Sequence, residues 1–332
     1  MSAPGAGPAP APGVTAPAAR ITGRVPEAGP AKTGCGPANH PVRDAGGLTQ
    51  ALSGAQPGDV LALADGVYRG NFTARAQGSA ARPITLCGGR NAVLLGSAGY
   101  TLHLDGAAHW RVAGFTIRGG QKGLVADHAE GNVLENLVIE QVGQEGLHLR
   151  AASSDNTVRD NDIQRTGLTD AQFGEGIYVG SARQNWPKFG GGGPDRSDRN
   201  VVAGNTVTDV AAECVDIKEG TTGGVLRGNT FSGRALRGAY ADSWVDVKGN
   251  RWLIADNVGS DSPVDGYQVH EILAGWGVDN RFTHNTSNLG AGTGFAINVT
   301  RNPTRTVVGC DNKVTGGRGV TNVTCTNNTA PA

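Results

Sequence analysis

Large side chains are scarce in this sequence. Aromatic residues make up 5% of 332, methionine occurs once, and no apolar run is long enough to cross a membrane. That scarcity argues against amphipathic helices packed through bulky residues, and it excludes a membrane-spanning helix. Charge of one sign is also missing: 29 basic and 29 acidic residues cancel, and no block of like charge stands out. A nucleic-acid partner therefore has no electrostatic footprint. The glycine run Gly190–Gly193 lacks the strand, lysine and helix of a phosphate-binding loop, so it reads only as flexibility.

Glycine, by contrast, is abundant at 53 residues, more than twice the usual share of about 7%. Gly, Asn, Thr and Val recur together, the vocabulary of many short strands joined by turns. Residues 1–33 are Pro/Ala/Gly-rich and too poor in apolar groups to order themselves; they read as a flexible leader. With no signal peptide before this stretch, the expectation is a mature form carrying an added Met1. From His40 the run LTQALSGAQPGDVLALADGVYRG reads as a short helix, a turn and a strand. Such a helix would cap the open end of a strand stack.

Beyond residue 100 the chain repeats itself. GNVLENLVIEQVG, DNTVRDNDIQRTG, RNVVAGNTVTDVA and GGVLRGNTFSGRA each hold a short strand, an Asn and a second strand. The aligned asparagines are Asn136, Asn161, Asn205, Asn229, Asn257, Asn285 and Asn312, spaced by 24 to 28 residues except for one gap of 44. This periodicity signals a solenoid, with the amides stacked as a ladder at one bend. The expected fold is all-β: a single-stranded right-handed parallel β-helix with a short N-terminal capping helix, occupying residues 34–328. Cys35 with Cys87 and Cys310 with Cys325 sit at the two ends of the array, which predicts two disulfides and leaves Cys214 free and buried. Disulfides imply an oxidising compartment and thus a secreted protein.

A second column precedes each asparagine block by half a coil: GLHLR, GIYVG, CVDIK, GAYAD, GYQVH and GFAIN. Alternation turns Leu147/Leu149, Ile177/Val179, Val215/Ile217, Ala239/Ala241, Tyr267/Val269 and Phe295/Ile297 inward. The outward rows are then His148, Tyr178, Asp216, Tyr240, Gln268, and beside it Arg150, Gly180, Lys218, Asp242, His270, Asn298. Just before the strands lie Glu145, Glu175, Glu213, Arg237, Asp265 and Thr293. Carboxylates stacked one strand apart repel unless a cation sits among them, and oxygen-only ligands favour Ca²⁺. The expected metal ligands are Glu145, Glu175, Glu213 and Asp216. Two loops, residues 181–199 with Trp186 and 271–280 with Trp276, leave the same edge and should wall a groove. Arg150, Tyr178, Trp186, Arg237, Asp242 and Trp276 are the expected substrate contacts.

The Asn-turn repeats resemble the right-handed parallel β-helix proteins of the pectate-lyase superfamily, over roughly residues 40–328. ECVDIKEGTTGGVLRGNTFSG (213–233) is similar to a stretch of the chondroitinase B and alginate lyase family, in which a Glu precedes a Lys by five positions and a Gly-Asn-Thr turn follows. The resemblance implies that Glu213 is a calcium-binding carboxylate and Lys218 the catalytic base. The family then places Arg-His-Gly in the next coil, where this chain has Asp242, Ser243 and Trp244.

The residues fit that chemistry independently. Elimination beside a uronate needs the carboxyl neutralised and a base at C5. Lys218 would be the base and His270 or Tyr240 the acid, with Tyr178 a further candidate. The expected substrate is an acidic polysaccharide, and the expected form a monomer with no nucleic-acid or membrane partner. A glycoside hydrolase or epimerase using Asp216 and Asp242 as paired carboxylates, and a non-catalytic glycan-binding β-helix, are the rival functions.

Overall fold

The computed structural model describes residues 34–301 and 304–327; the expected leader lies outside the described residues. Each coil of the chain contributes one strand to each of three parallel sheets, with eleven, nine and ten strands among the described residues. All pairings between these strands are parallel and join successive coils in register. The fold is the expected right-handed parallel β-helix.

Short strands suffice because each pairs through its backbone with the coils on either side while its side chains alternate between the interior and the outer face. Leu147, Leu149, Ile177, Val179, Val215 and Ile217 are fully buried in one continuous core with Trp110, Trp244, Trp252, Tyr267 and Phe282. The helix Ala45–Gly54 closes the N-terminal end: Asp44 caps it by accepting from Gly47 N at 2.8 Å, and Leu48 and Leu52 enter the core. No helix among the described residues is long and apolar enough to cross a membrane.

The asparagine ladder runs as expected from Asn161 to Asn312. Asn161 Nδ2 donates to Asn205 Oδ1, and the relay continues through Asn229, Asn257, Asn285 and Asn312, every step between 2.8 and 2.9 Å. Asn136 does not belong to it. The residue in register is Leu137, whose N–H donates to Asn161 Oδ1 at 2.9 Å, while Asn136 takes the left-handed turn position at φ 52°. A second ladder, Asn132–Asn156–Asn200, lines another bend. Both disulfides, Cys35–Cys87 and Cys310–Cys325, are present, and Cys214 is free and buried.

One coil departs from the sequence expectation. Gly238–Asp242 is not a strand; the strand of that coil is Ser243–Val247, with Val245 and Val247 inward. Residues 233–242 form an excursion before it, so the outward residues there are Asp246 and Lys248, in register with Asp216 and Lys218. The last coil slips by two as well: Ile297 and Val299 point inward, and Asn298 pairs with Gln268.

Candidate active site

The nine-stranded sheet carries the polar face. In register along it run His148, Tyr178, Asp216, Asp246, Gln268 and Asn298. An outward row on an open sheet would be exposed, yet His148, Arg150, Tyr178, Asp216, Asp246 and Lys248 are all buried. They bury one another, and Phe189 of the loop that follows Val179 covers Arg150.

At the centre stands Asp216, its two oxygens taken by two ammonium groups. Lys218 Nζ lies 2.5 Å from Oδ2 and Lys248 Nζ 2.8 Å from Oδ1, and Lys248 also reaches Asp246 at 2.7 Å. Lys248 is buried, which acts to lower its pKa, but Asp216 and Asp246 outweigh that and hold it above the ordinary lysine value. Asp246 is held well below the carboxylate range: burial opposes this, and Lys248 and His270 impose it. For Lys218 burial again pulls downward, while Asp216, Glu175 and Glu213 push the net value up.

Glu175, Glu213 and Asp216 form a buried carboxylate cluster, each offering an oxygen within 4.8 Å of the others. Neither Glu175 nor Glu213 has an ion-pair partner among the described residues, and Glu175 Oε2 is buried without a hydrogen bond. Burial and the neighbouring carboxylates push Glu175 well above its usual range. Burial and Asp216 push Glu213 up to about 8. Glu145 stands apart from this cluster, correcting the four-ligand expectation. Its carboxylate is paired with Lys122 and lies 3.4 Å from His148 Nδ1. Burial would raise it, but His148 and Lys122 hold it down at about 2.

Tyr178 projects beside Lys218, whose Nζ lies 5.0 Å from its ring centroid, and packs edge-on against His148. Burial and Asp216 push the phenol well above its ordinary value, so it keeps its proton at neutral pH. Tyr240 is elsewhere: it sits 48% exposed in the excursion, with Arg237 exposed and Asp242 half-buried beside it. All three stand off the strand row where the sequence placed them, for one reason, the misplaced strand. His270 is on the face but two strands beyond Lys218, donating from Nε2 to Gln268 Oε1 at 2.8 Å and 3.5 Å from Asp246. Trp186 is a packing residue: Nε1 donates to Ser181 O at 2.9 Å, and its ring meets Trp276 edge-on, bracing one loop against the other.

Arg150 lines a cleft of about 380 Å³ with Tyr100, Lys122, His148, Tyr178, Lys188 and Phe189. Its guanidinium is held by Asp127 at 2.7 Å and donates to Tyr100 Oη at 2.7 Å. Sequence reasoning missed Lys122, Asp127, Asp246 and Lys248. For the last two a signal existed: Val-Asp-Val-Lys at 245–248 repeats Val-Asp-Ile-Lys at 215–218.

Comparison with known proteins places this geometry. Residues 100–250 match the family model described as a right handed beta helix region. The chain is similar to the solved alginate lyase from Paenibacillus sp. str. FPU-7, at 38% identity, over 86% of this chain and 98% of that one, with a TM-score of 0.80. Pectate lyase Pel9A, at 16% identity over 83% of this chain and 72% of its own, has a TM-score of 0.62 and shares the fold. The fold also extends to a GH136 lacto-N-biosidase from Eubacterium ramulus, at 11% identity over 85% of this chain and 67% of its own, with a TM-score of 0.52. No curated protein sequence matches the chain.

Proposed function

Since the chain belongs to the right-handed parallel β-helix polysaccharide lyases, the family of the Paenibacillus alginate lyase, we propose that it cleaves a polyuronate, with alginate the first polymer to test, by β-elimination. The observation that carries this reading is the juxtaposition of Lys218 and Tyr178 above buried carboxylates. Lys218 Nζ, acting in its neutral amine form, takes the C5 proton of a uronate, the electron pair forms the C4–C5 double bond, and the C4–O glycosidic bond breaks. Tyr178, protonated at neutral pH, gives its proton to the leaving oxygen. Its place beside Lys218 supports Tyr178 as the acid in preference to His270 and Tyr240.

A divalent cation fits the cluster: Glu175 and Glu213 are buried and unpaired, Glu175 has an orphaned oxygen, and the donors are all oxygen, which suits Ca²⁺. Glu175 and Glu213 would hold it, with Asp216 beside them. When bound it would offset the negative charge that keeps Lys218 protonated and would neutralise the uronate carboxyl. The rival hydrolase loses its pair, because Asp242 is off the face and Asp216 and Asp246 are both tied to Lys248. Two disulfides and a polymeric substrate support action outside the cell.

The test is incubation with a panel of polyuronates, alginate included, followed by ultraviolet absorbance of the unsaturated product. New absorbance on at least one uronate polymer, abolished in Lys218→Ala, is the expected result. Products without a double bond would overturn the reading in favour of hydrolysis.

A further inference from the structure

The cleft on the N-terminal side of Tyr178 has a part that the elimination step does not use. It spans the strands from Tyr100–Asp105 to Ile177–Val179, three strand spacings or about 14 Å along the stack, long enough for sugars beyond the one that reacts. Its cations are unequally engaged. Lys122 is paired with Glu145 and Arg150 with Asp127. Lys188, on the loop that forms the wall, has no ion-pair partner among the described residues; its Nζ lies 4.8 Å from the Phe189 ring, which stacks at 4.1 Å on Arg150. The Arg150–Phe189 stack thus holds the loop down and sets Lys188 at the cleft.

The remaining chemistry of this region donates. Tyr100 Oη accepts from Arg150 Nη2 at 2.7 Å, which leaves its own proton to give away. Phe173, 42% exposed, also lines the cleft and offers an apolar ring suited to the C–H face of a pyranose. An uncompensated ammonium, a free hydroxyl proton and an aromatic ring around one cavity select for a ligand that is anionic, hydroxylated and flat-faced.

We propose that this region is a carboxylate-specific subsite that binds a second uronate of the polymer, away from the scissile bond, through Lys188 and Tyr100. The proposal rests on the lyase reading. On the far side of Lys218 the face is occupied by its own network of Lys248, Asp246, His270, Gln268 and Asp265, so the polymer gains affinity chiefly on the Tyr100 side.

The experiment uses the full chain and alginate-derived oligouronates from disaccharide to hexasaccharide, with kcat and KM measured at each length and binding measured by calorimetry. Parent protein should gain kcat/KM with each added sugar until the subsite is filled. Lys188→Ala and Tyr100→Phe should lose about tenfold or more of that gain, in KM and not in kcat, as expected for a charge-assisted hydrogen bond, while Lys188→Arg should restore it. A length gain that survives both Lys188→Ala and Tyr100→Phe would overturn the subsite and leave the lyase reading standing. Length-dependent binding without cleavage, weakened by Lys188→Ala, would support the subsite and overturn the lyase reading. Neither binding nor cleavage of any oligouronate would overturn both.

Discussion

Lys248 places its ammonium 2.8 Å from Asp216 although 32 residues separate them in sequence. Asp216 is thereby locked between two lysines, its free direction gone, and Lys218 is held at a fixed point on the face beside Tyr178. Conversion of Lys248 to Met should leave Asp216 and Asp246 buried with one counter-charge fewer. The expected loss of stability is about 3–5 kcal/mol, read as a lower urea midpoint with circular dichroism confirming that the β-helix persists. Lys248→Arg should recover part of it. An unchanged midpoint in Lys248→Met would show that the bridge is not part of what holds the face together.

Lys218→Ala removes no core volume, because Val215 and Ile217 provide the inward contacts of that strand. It does take one of two counter-charges from Asp216, so its melting temperature should fall while circular dichroism shows the β-helix intact, and elimination should slow about 10²–10⁴-fold. Tyr178→Phe should fall in the same range with the ring packing against His148 preserved. Parental rates in either variant, followed by product absorbance, would remove that residue from the mechanism.

Exhaustive chelation should lower both activity and melting temperature, with Ca²⁺ restoring both. Glu175→Gln should abolish the thermal response to Ca²⁺, since it removes one of the two unpaired carboxylates that would hold the ion. A melting temperature indifferent to chelator and to added Ca²⁺ would exclude a resident cation at the cluster.

The pH dependence of stability has two limbs of opposite sign. Glu213 stands at about 8 in the fold, against about 4.3 for an unfolded glutamate. The folded chain thus keeps a proton that the unfolded chain has released. That contribution is complete below about pH 4.3 and is lost as pH rises towards 8. Glu145, held at about 2, behaves oppositely: its contribution is present above about pH 4.3 and disappears as pH falls towards 2. Chelator-treated protein should therefore be more stable near pH 5 than near pH 8 by urea unfolding. Glu213→Gln should flatten the alkaline limb; a slope identical to the parent would show that another group sets it.

The stack was legible because inward Leu, Ile and Val alternate with polar residues in Leu147–Arg150 and Val215–Ile217 and because amides recur at one bend. What defeated sequence reading was an excursion. Gly238–Asp242 imitates alternation with Ala239 and Ala241 in the inward places, but alanines are too small to fill a core that Val245 and Val247 fill instead. That one misplacement moved Tyr240, Arg237 and Asp242 onto the face on paper and hid Asp246 and Lys248. Asn136 misled by a single position, since a side-chain amide one residue early serves the left-handed turn and not the ladder. The pairing of Glu145 with Lys122 was beyond reach, because the strand Lys122–Asp127 lies before the first of the aligned motifs, GNVLENLVIEQVG.

The ladder step from Asn161 to Asn205 is 2.9 Å across a gap of 44 residues, the same length as the step from Asn205 to Asn229 across 24. The spine of the molecule does not register how much chain has been spent between its rungs. Whatever emerges between those rungs, after Val179, is therefore an interchangeable part: the segment bearing Trp186, Lys188 and Phe189 can be lengthened, shortened or replaced while the frame beneath keeps its alignment. A lineage built this way can change which polymer it grips by exchanging one flap of surface, with the reacting pair on the strands below left untouched.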